Sequence, residues 1–155
     1  MVVFLSFSDG EAFATGMAEY IYSPATKRED LPRLIVNVTI EGINVAAIVD
    51  TGAPYVVCSP RTAKKLSLAP QTSLGRIRLL IRGMVMQGHL HRLNVSFVAL
   101  RGVDLYVEAT AFVPDPEWEA SWEDLPSFIG LNGCLERMRF TVDPGSDTFY
   151  FGPLP

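Results

Sequence analysis

A mainly β domain with one or two short helices is predicted by three features of this 155-residue chain. Short runs rich in Val and Ile recur along it, glycine-containing turn dipeptides separate them, and few segments carry a helix start signal. The chain is long enough for one domain with a real core and too short for two ordinary ones. Hydrophobic residues make up 48% of it, a high share at this length, which predicts that a second subunit covers part of the apolar surface. The net charge of -4 argues against a nucleic-acid partner, which favours a basic face.

Residues 1–30 read as an N-terminal strand region and a candidate dimer-interface segment, and residues 31–155 as a single domain. The opening Met-Val-Val-Phe-Leu has no basic residue ahead of its apolar run, so no export signal is expected. No run reaches the roughly 18 apolar residues that a membrane helix needs. Two cysteines, Cys58 and Cys134, make no disulfide framework and are expected as free thiols in a reducing, cytoplasmic compartment. Within the domain, Leu34 to Ile40 and Ile43 to Val49 flank Glu41-Gly42 and predict a tight hairpin. A short strand from Tyr55 to Cys58 follows, and then Ser59 and Pro60 predict a helix N-terminus. Strand-like text runs from Arg76 to Val113, broken near Gly83 to Gly88 and at Arg101-Gly102. The prolines and acids around Trp118 and Trp122 predict an external loop with one helical turn, the tryptophans packing back onto the body. A short helix from about Asn132 to Met138 and a hairpin turning at Pro144-Gly145 complete the reading.

The segment Ile48-Val-Asp50-Thr51-Gly52-Ala53-Pro54-Tyr-Val-Val57 is the most informative. By itself Asp-Thr-Gly suits an ordinary turn. Here an apolar strand delivers the carboxylate and another apolar strand follows, a setting where a carboxylate is costly unless hydrogen-bonded or paired. A second feature, Phe128-Ile129-Gly130-Leu131-Asn132, lies further along the chain in the same kind of context.

With these two motifs in this order, the sequence resembles the retropepsin-like aspartic proteases, in particular their soluble, non-viral single-domain members. The resemblance spans most of Leu34 to Gly152 and leaves residues before Leu31 and the tryptophan loop unexplained. It implies a closed β-barrel, one half of an acid protease, that acts as a homodimer. It implies Asp50 as the catalytic carboxylate, with Thr51, Gly52 and Ala53 in support: Gly52 donates its N–H to the carboxylate and Thr51 ties the two loops together across the dimer. Ile129, Gly130 and Asn132 correspond to the apolar-Gly-Asn motif of the family, and Leu131 departs from the Arg that many viral members carry.

Peptide hydrolysis by this route needs two carboxylates that share one proton, and the chain has one Asp-Thr-Gly; Asp147-Thr148-Phe149 lacks the glycine. The second carboxylate is therefore expected from Asp50 of another copy across a two-fold axis. The substrate class is polypeptide, and the chemistry requires no metal and no cofactor. An extended peptide also needs a cover. Gly83, Met84, Val85 and Met86 are the candidate flap, with Gly83 and Gly88 supplying flexibility. His89 and His91, with no cysteine or acid beside them in sequence, are expected to be structural rather than metal ligands. The rival reading is a dimerisation or peptide-binding module that keeps the fold without cleaving; a β-barrel metal-binding protein rests only on the histidines and acids.

Overall fold

The computed structural model describes residues 3–68 and 70–155. Its strands are β1 (Leu5–Ser6), β2 (Ala12–Ala14), β3 (Gly16–Glu19), β4 (Ile21–Ser23), β5 (Arg33–Ile40), β6 (Ile43–Val49) and β7 (Val56–Val57), after which comes helix α1 (Pro60–Leu66). Then follow β8 (Gly75–Ile81), β9 (Met84–Phe97), β10 (Arg101–Gly102), β11 (Leu105–Pro114), helix α2 (Glu119–Trp122), β12 (Ser127–Ile129), β13 (Met138–Asp143) and β14 (Thr148–Pro153).

The predicted β character follows from turn chemistry. Glu41 and Gly42, at φ 48° and 81°, make the two-residue turn between β5 and β6 in the left-handed geometry that matches the strand twist. Arg82 and Gly83, at φ 51° and 80°, do the same between β8 and β9. In the last hairpin the Asp143 carboxylate accepts from the Gly145 N–H at 2.9 Å and from the Ser146 hydroxyl at 2.8 Å, which fixes the turn at Pro144-Gly145. Helix α1 starts as the sequence predicts, with the Ser59 side chain accepting from the Thr62 N–H and Pro60 at the first turn.

Eight strands form the main sheet in the order β4-β5-β6-β12-β7-β11-β9-β8, and β9 also pairs back onto β5 through Val38 opposite Phe97 and Ile40 opposite Val95. The sheet therefore folds over on itself. A second sheet, β10-β3-β14-β13, covers one side of it, and β1 pairs with β2. Between the sheets lies the larger core, centred on Phe97, Phe149 and Phe151, whose rings meet at 5.9 to 6.1 Å. The N-terminal strands belong to this framework: β3 pairs with β14 and β4 with β5.

Two sequence expectations need correction. The segment from Asn132 to Met138 is no α-helix but a turn followed by one 3₁₀ turn over Leu135–Arg137. Gly133 sits at φ +74°, outside right-handed helical space, and a Cβ there would lie 2.7 Å from the Thr110 side chain. The break expected between Gly83 and Gly88 is confined to Arg82-Gly83, because β9 runs unbroken through Gly88. Gly88 serves close packing instead: a Cβ there would lie 2.2 Å from the Val113 carbonyl and 2.8 Å from the Phe112 ring.

Candidate active site

Asp50 follows directly on β6 and opens a loop that ends at β7. Between these two strands lies β12, parallel to β6 through Phe128 opposite Ile48 and antiparallel to β7 through Phe128 opposite Val57. The loop is thus gripped by a strand from the far end of the chain. The Asp50 N–H donates to the Ile129 carbonyl at 3.0 Å, and the Leu131 N–H donates to the Ala53 carbonyl at 2.9 Å. Gly130 has to be glycine for this fit, since a Cβ would lie 2.1 Å from the Tyr55 carbonyl oxygen and 2.7 Å from that of Ala53. Ile129 is fully buried and anchors β12 in the main core, while Asn132 is exposed.

Within the loop, the Gly52 N–H donates to Asp50 Oδ1 at 2.9 Å. A Cβ on Gly52 would lie 3.1 Å from that same oxygen, so the glycine allows the backbone to approach its carboxylate partner. Asp50 is half-buried, whereas Thr51 and Gly52 are exposed in the single chain. The Thr51 hydroxyl makes no hydrogen bond among the described residues. Ala53 is partly buried against the second apolar cluster, which contains Ile48, Val57, Ile81, Met86, Phe112 and Phe128.

A cleft of about 240 Å³ opens beside Asp50. Its walls include Gly52, Ala53 and Pro54 from the loop and Leu80, Ile81 and Arg82 from the tip of the β8–β9 hairpin. The hairpin therefore reaches the carboxylate, but through residues one step earlier than the sequence suggested. Of the predicted group, Gly83 is at the turn and Met84 is partly buried, Val85 is 56% exposed on the outer face, and Met86 is 1% exposed and packed in the core. Period-two alternation explains this split: Leu80 and Val85 face outward as a cross-strand pair, and Leu79 and Met86 form the next pair on the other face. Arg33 and Phe128 also line the cleft. Arg33 was missed because its only sequence signal is one charge at the start of an apolar strand.

The histidines lie elsewhere, in a concavity of about 350 Å³ between α1, β9 and the end of β11. His91 is 4% exposed and meets the Thr72 hydroxyl at 3.2 Å. Burial lowers its pKa below the ordinary value and the neighbouring His89 lowers it further, while a hydrogen bond with the Thr72 backbone acts the other way. His89 meets Ser73 Oγ at 2.9 Å and an Arg76 guanidinium nitrogen at 3.3 Å. The fold does bring an acid close, since Arg76 also pairs with Asp115. Among the described residues, no group of three or more His, Cys, Asp or Glu is arranged to hold a metal ion.

Trp118 and Trp122 both pack on the cluster under the Asp50 loop, Trp122 donating its Nε1–H to the Leu125 carbonyl at 2.8 Å and meeting the Phe128 ring edge-on at 6.2 Å. Cys58 and Cys134 are buried and unpaired, and burial pushes both thiols up to about 12. No helix among the described residues is long and apolar enough to cross a membrane.

No curated protein sequence matches the chain. Among solved structures, a retropepsin-like aspartic protease from Rickettsia conorii superposes with a TM-score of 0.54 at 19% identity, over 87% of this chain and 90% of that one. The retroviral protease-like domain of Ddi1 from Leishmania major aligns with a TM-score of 0.47 at 22% identity, over 79% of this chain and 94% of that one. The aspartyl protease family profile matches residues 36–117, the span that holds the Asp50 loop and the β8–β9 hairpin. On that match, and with a mainly β fold like that of the rickettsial retropepsin, the chain belongs to the aspartyl protease family.

Proposed function

We propose that the protein is an aspartic endopeptidase that works as a homodimer, with Asp50 of two subunits forming one site. The observation that carries this reading is the Asp50 loop. It offers one carboxylate, oriented by the Gly52 N–H, from a backbone held by β12, and its Thr51-Gly52 edge is open to solvent in the single chain. A second copy placed against that edge supplies the missing carboxylate and a partner for the free Thr51 hydroxyl. Leu131, 39% exposed beside the loop, adds apolar surface for the same contact. The exposed Val3 and Phe7 of the N-terminal segment make residues 1–30 a second candidate for subunit contact. The return of β9 onto β5 supports reading each subunit as a closed barrel. Two buried, unpaired thiols fit a reducing compartment, and we place the protein in the cytoplasm.

In the reaction, the ionised carboxylate takes a proton from water as the oxygen attacks the peptide carbonyl, and the protonated carboxyl gives its proton to the carbonyl oxygen. Collapse of the tetrahedral species breaks the C–N bond, and the departing nitrogen takes up a proton from the pair. Like charges in contact resist double ionisation, so the two groups titrate together. The β8–β9 hairpin covers the substrate, with Leu80 to Gly83 and the partly buried Met84 at its tip.

Asp50→Asn removes the titrating group with little change in shape. Cleavage of a fluorogenic peptide is expected to vanish while the melting temperature and the dimer, followed by light scattering, persist. In the unchanged protein, activity per subunit is expected to fall on dilution through the dimer dissociation constant. Turnover retained by the Asn form, or a fully active monomer, overturns the shared-site mechanism. Peptide binding with no turnover in the unchanged dimer identifies the non-cleaving module instead.

A further inference from the structure

The charges on the wall of the Asp50 cleft are unevenly matched. Arg82, at the hairpin tip, pairs with Glu29 at 3.3 Å. Glu29 is held close in, its side chain only 14% exposed, and its second carboxylate oxygen is buried with no hydrogen-bond partner. Arg33 lines the same cleft as the first residue of β5. It has no carboxylate partner among the described residues, and its guanidinium lies 5.9 Å from the centre of the Phe128 ring. The ring fixes the guanidinium by a cation–π contact that leaves its N–H donors free.

Each guanidinium carries a planar fork of donors matched to a carboxylate. One fork in this cleft already holds a carboxylate, that of Glu29, and the other holds none. The remaining walls are Ala53, Pro54, Val57, Leu80 and Ile81, which take the apolar body of a peptide and offer no competing cation. Among the described residues lining the cleft the one carboxylate is Asp50, which the reaction requires.

We infer that Arg33 is a specificity-determining residue that selects peptides with a Glu or Asp side chain close to the scissile bond. Glu29 acts as an internal competitor, because it occupies the second guanidinium that such a side chain could use. The inference rests on the reading of this cleft as the peptide site of a protease, and it predicts opposite effects for two neighbouring charge changes.

The test uses labelled ten-residue peptides with a central Phe-Leu flanked by Ala and Val. One Glu is stepped through the three positions on either side, and each peptide has a Gln twin. Binding is read by fluorescence anisotropy on the Asp50→Asn protein, and cleavage by mass spectrometry on the unchanged protein. At one or more positions the Glu peptide is expected to bind about fivefold tighter than its twin, the scale of a partly exposed ion pair. Arg33→Met, added to Asp50→Asn, is expected to bring that ratio to about one, and Glu29→Gln in the same background to raise it above the Asp50→Asn value. A ratio of one at every position overturns the inference, as does a preference that survives Arg33→Met. Peptides cut without regard to Glu leave the protease reading standing and this one refuted. A Glu preference in binding with no cleavage by the unchanged protein does the reverse.

Discussion

Gly130 shows how much of this site hangs on one missing methyl group. Its Cα faces the Tyr55 and Ala53 carbonyls so closely that any side chain must push the Asp50 loop away from β12. Gly130→Ala is therefore expected to destabilise the protein by about 1–3 kcal/mol, the usual cost of overpacking. Urea unfolding measures this, and because the displaced loop carries the carboxylate, kcat is expected to fall as well. A variant with unchanged stability and full turnover would show that the loop tolerates the shift. Gly52 acts differently. It permits a hydrogen bond to the carboxylate rather than a packing contact, whereas the Ala53 N–H donates to the Asp50 backbone carbonyl at 3.1 Å and so closes the turn.

At the scale of elements, the β8–β9 hairpin divides into two faces with separate duties. Met86 faces Ile48, Val57, Phe112 and the other members of the second cluster, while Val85 and Leu80 face solvent. Met86→Ala is expected to cost about 2–5 kcal/mol of stability, as a large-to-small change in a filled core does. Val85→Ser is expected to stay within about 0.5 kcal/mol of the unchanged protein, with any loss showing in kcat/KM for a peptide substrate. Denaturant titration and kinetics on both variants separate the two faces. Equal destabilisation by the two changes would show that the hairpin is structural throughout. The tip is also tied down from outside: Arg82 to Glu29, while Arg28 from the same connecting segment pairs with Glu123 of the tryptophan loop. One strap thus joins the hairpin tip to the loop that packs under the Asp50 site.

For the whole molecule, His91 ties stability to pH on the acid side of neutrality. Its folded-state pKa lies below the ordinary 6.5 because the ring is buried and faces His89. The unfolded chain therefore binds the proton first, so this contribution is present in full above 6.5 and is lost as pH falls below it. The other charges around that concavity are matched, Lys64 with Glu119 and Asp115 with Arg76, and leave the buried His91 as the group through which it responds to pH. The Asp143 carboxyl, held below its ordinary 3.8 by hydrogen bonds from Ser146 and Gly145, acts in a separate window at lower pH. Melting temperatures recorded from about pH 7.5 to about pH 5 are expected to decline, and His91→Gln is expected to flatten the decline. An unchanged slope in that variant would place the acid sensitivity elsewhere.

Local rules sufficed for what lies within a few residues of its own cause. Glu41-Gly42 closes a hairpin, Ser59-Pro60 starts a helix, Pro144-Gly145 turns the last two strands, and Asp50 stands at the end of an apolar strand, each set by side-chain chemistry next to it in the chain. The two separated motifs were legible for the same reason, and they carried the family. Tertiary structure alone decided that β12 enters between β6 and β7, since Phe128 there meets Ile48 and Val57, eighty and seventy-one positions earlier, and no local preference encodes it. It also decided that Gly88 is a packing glycine, that Gly133 stops a helix, that Met86 turns inward, and that Arg33 and Arg82 meet at one cleft. Each of these depends on which distant atoms fill the space beside the residue, and that is fixed only when the sheet folds over on itself.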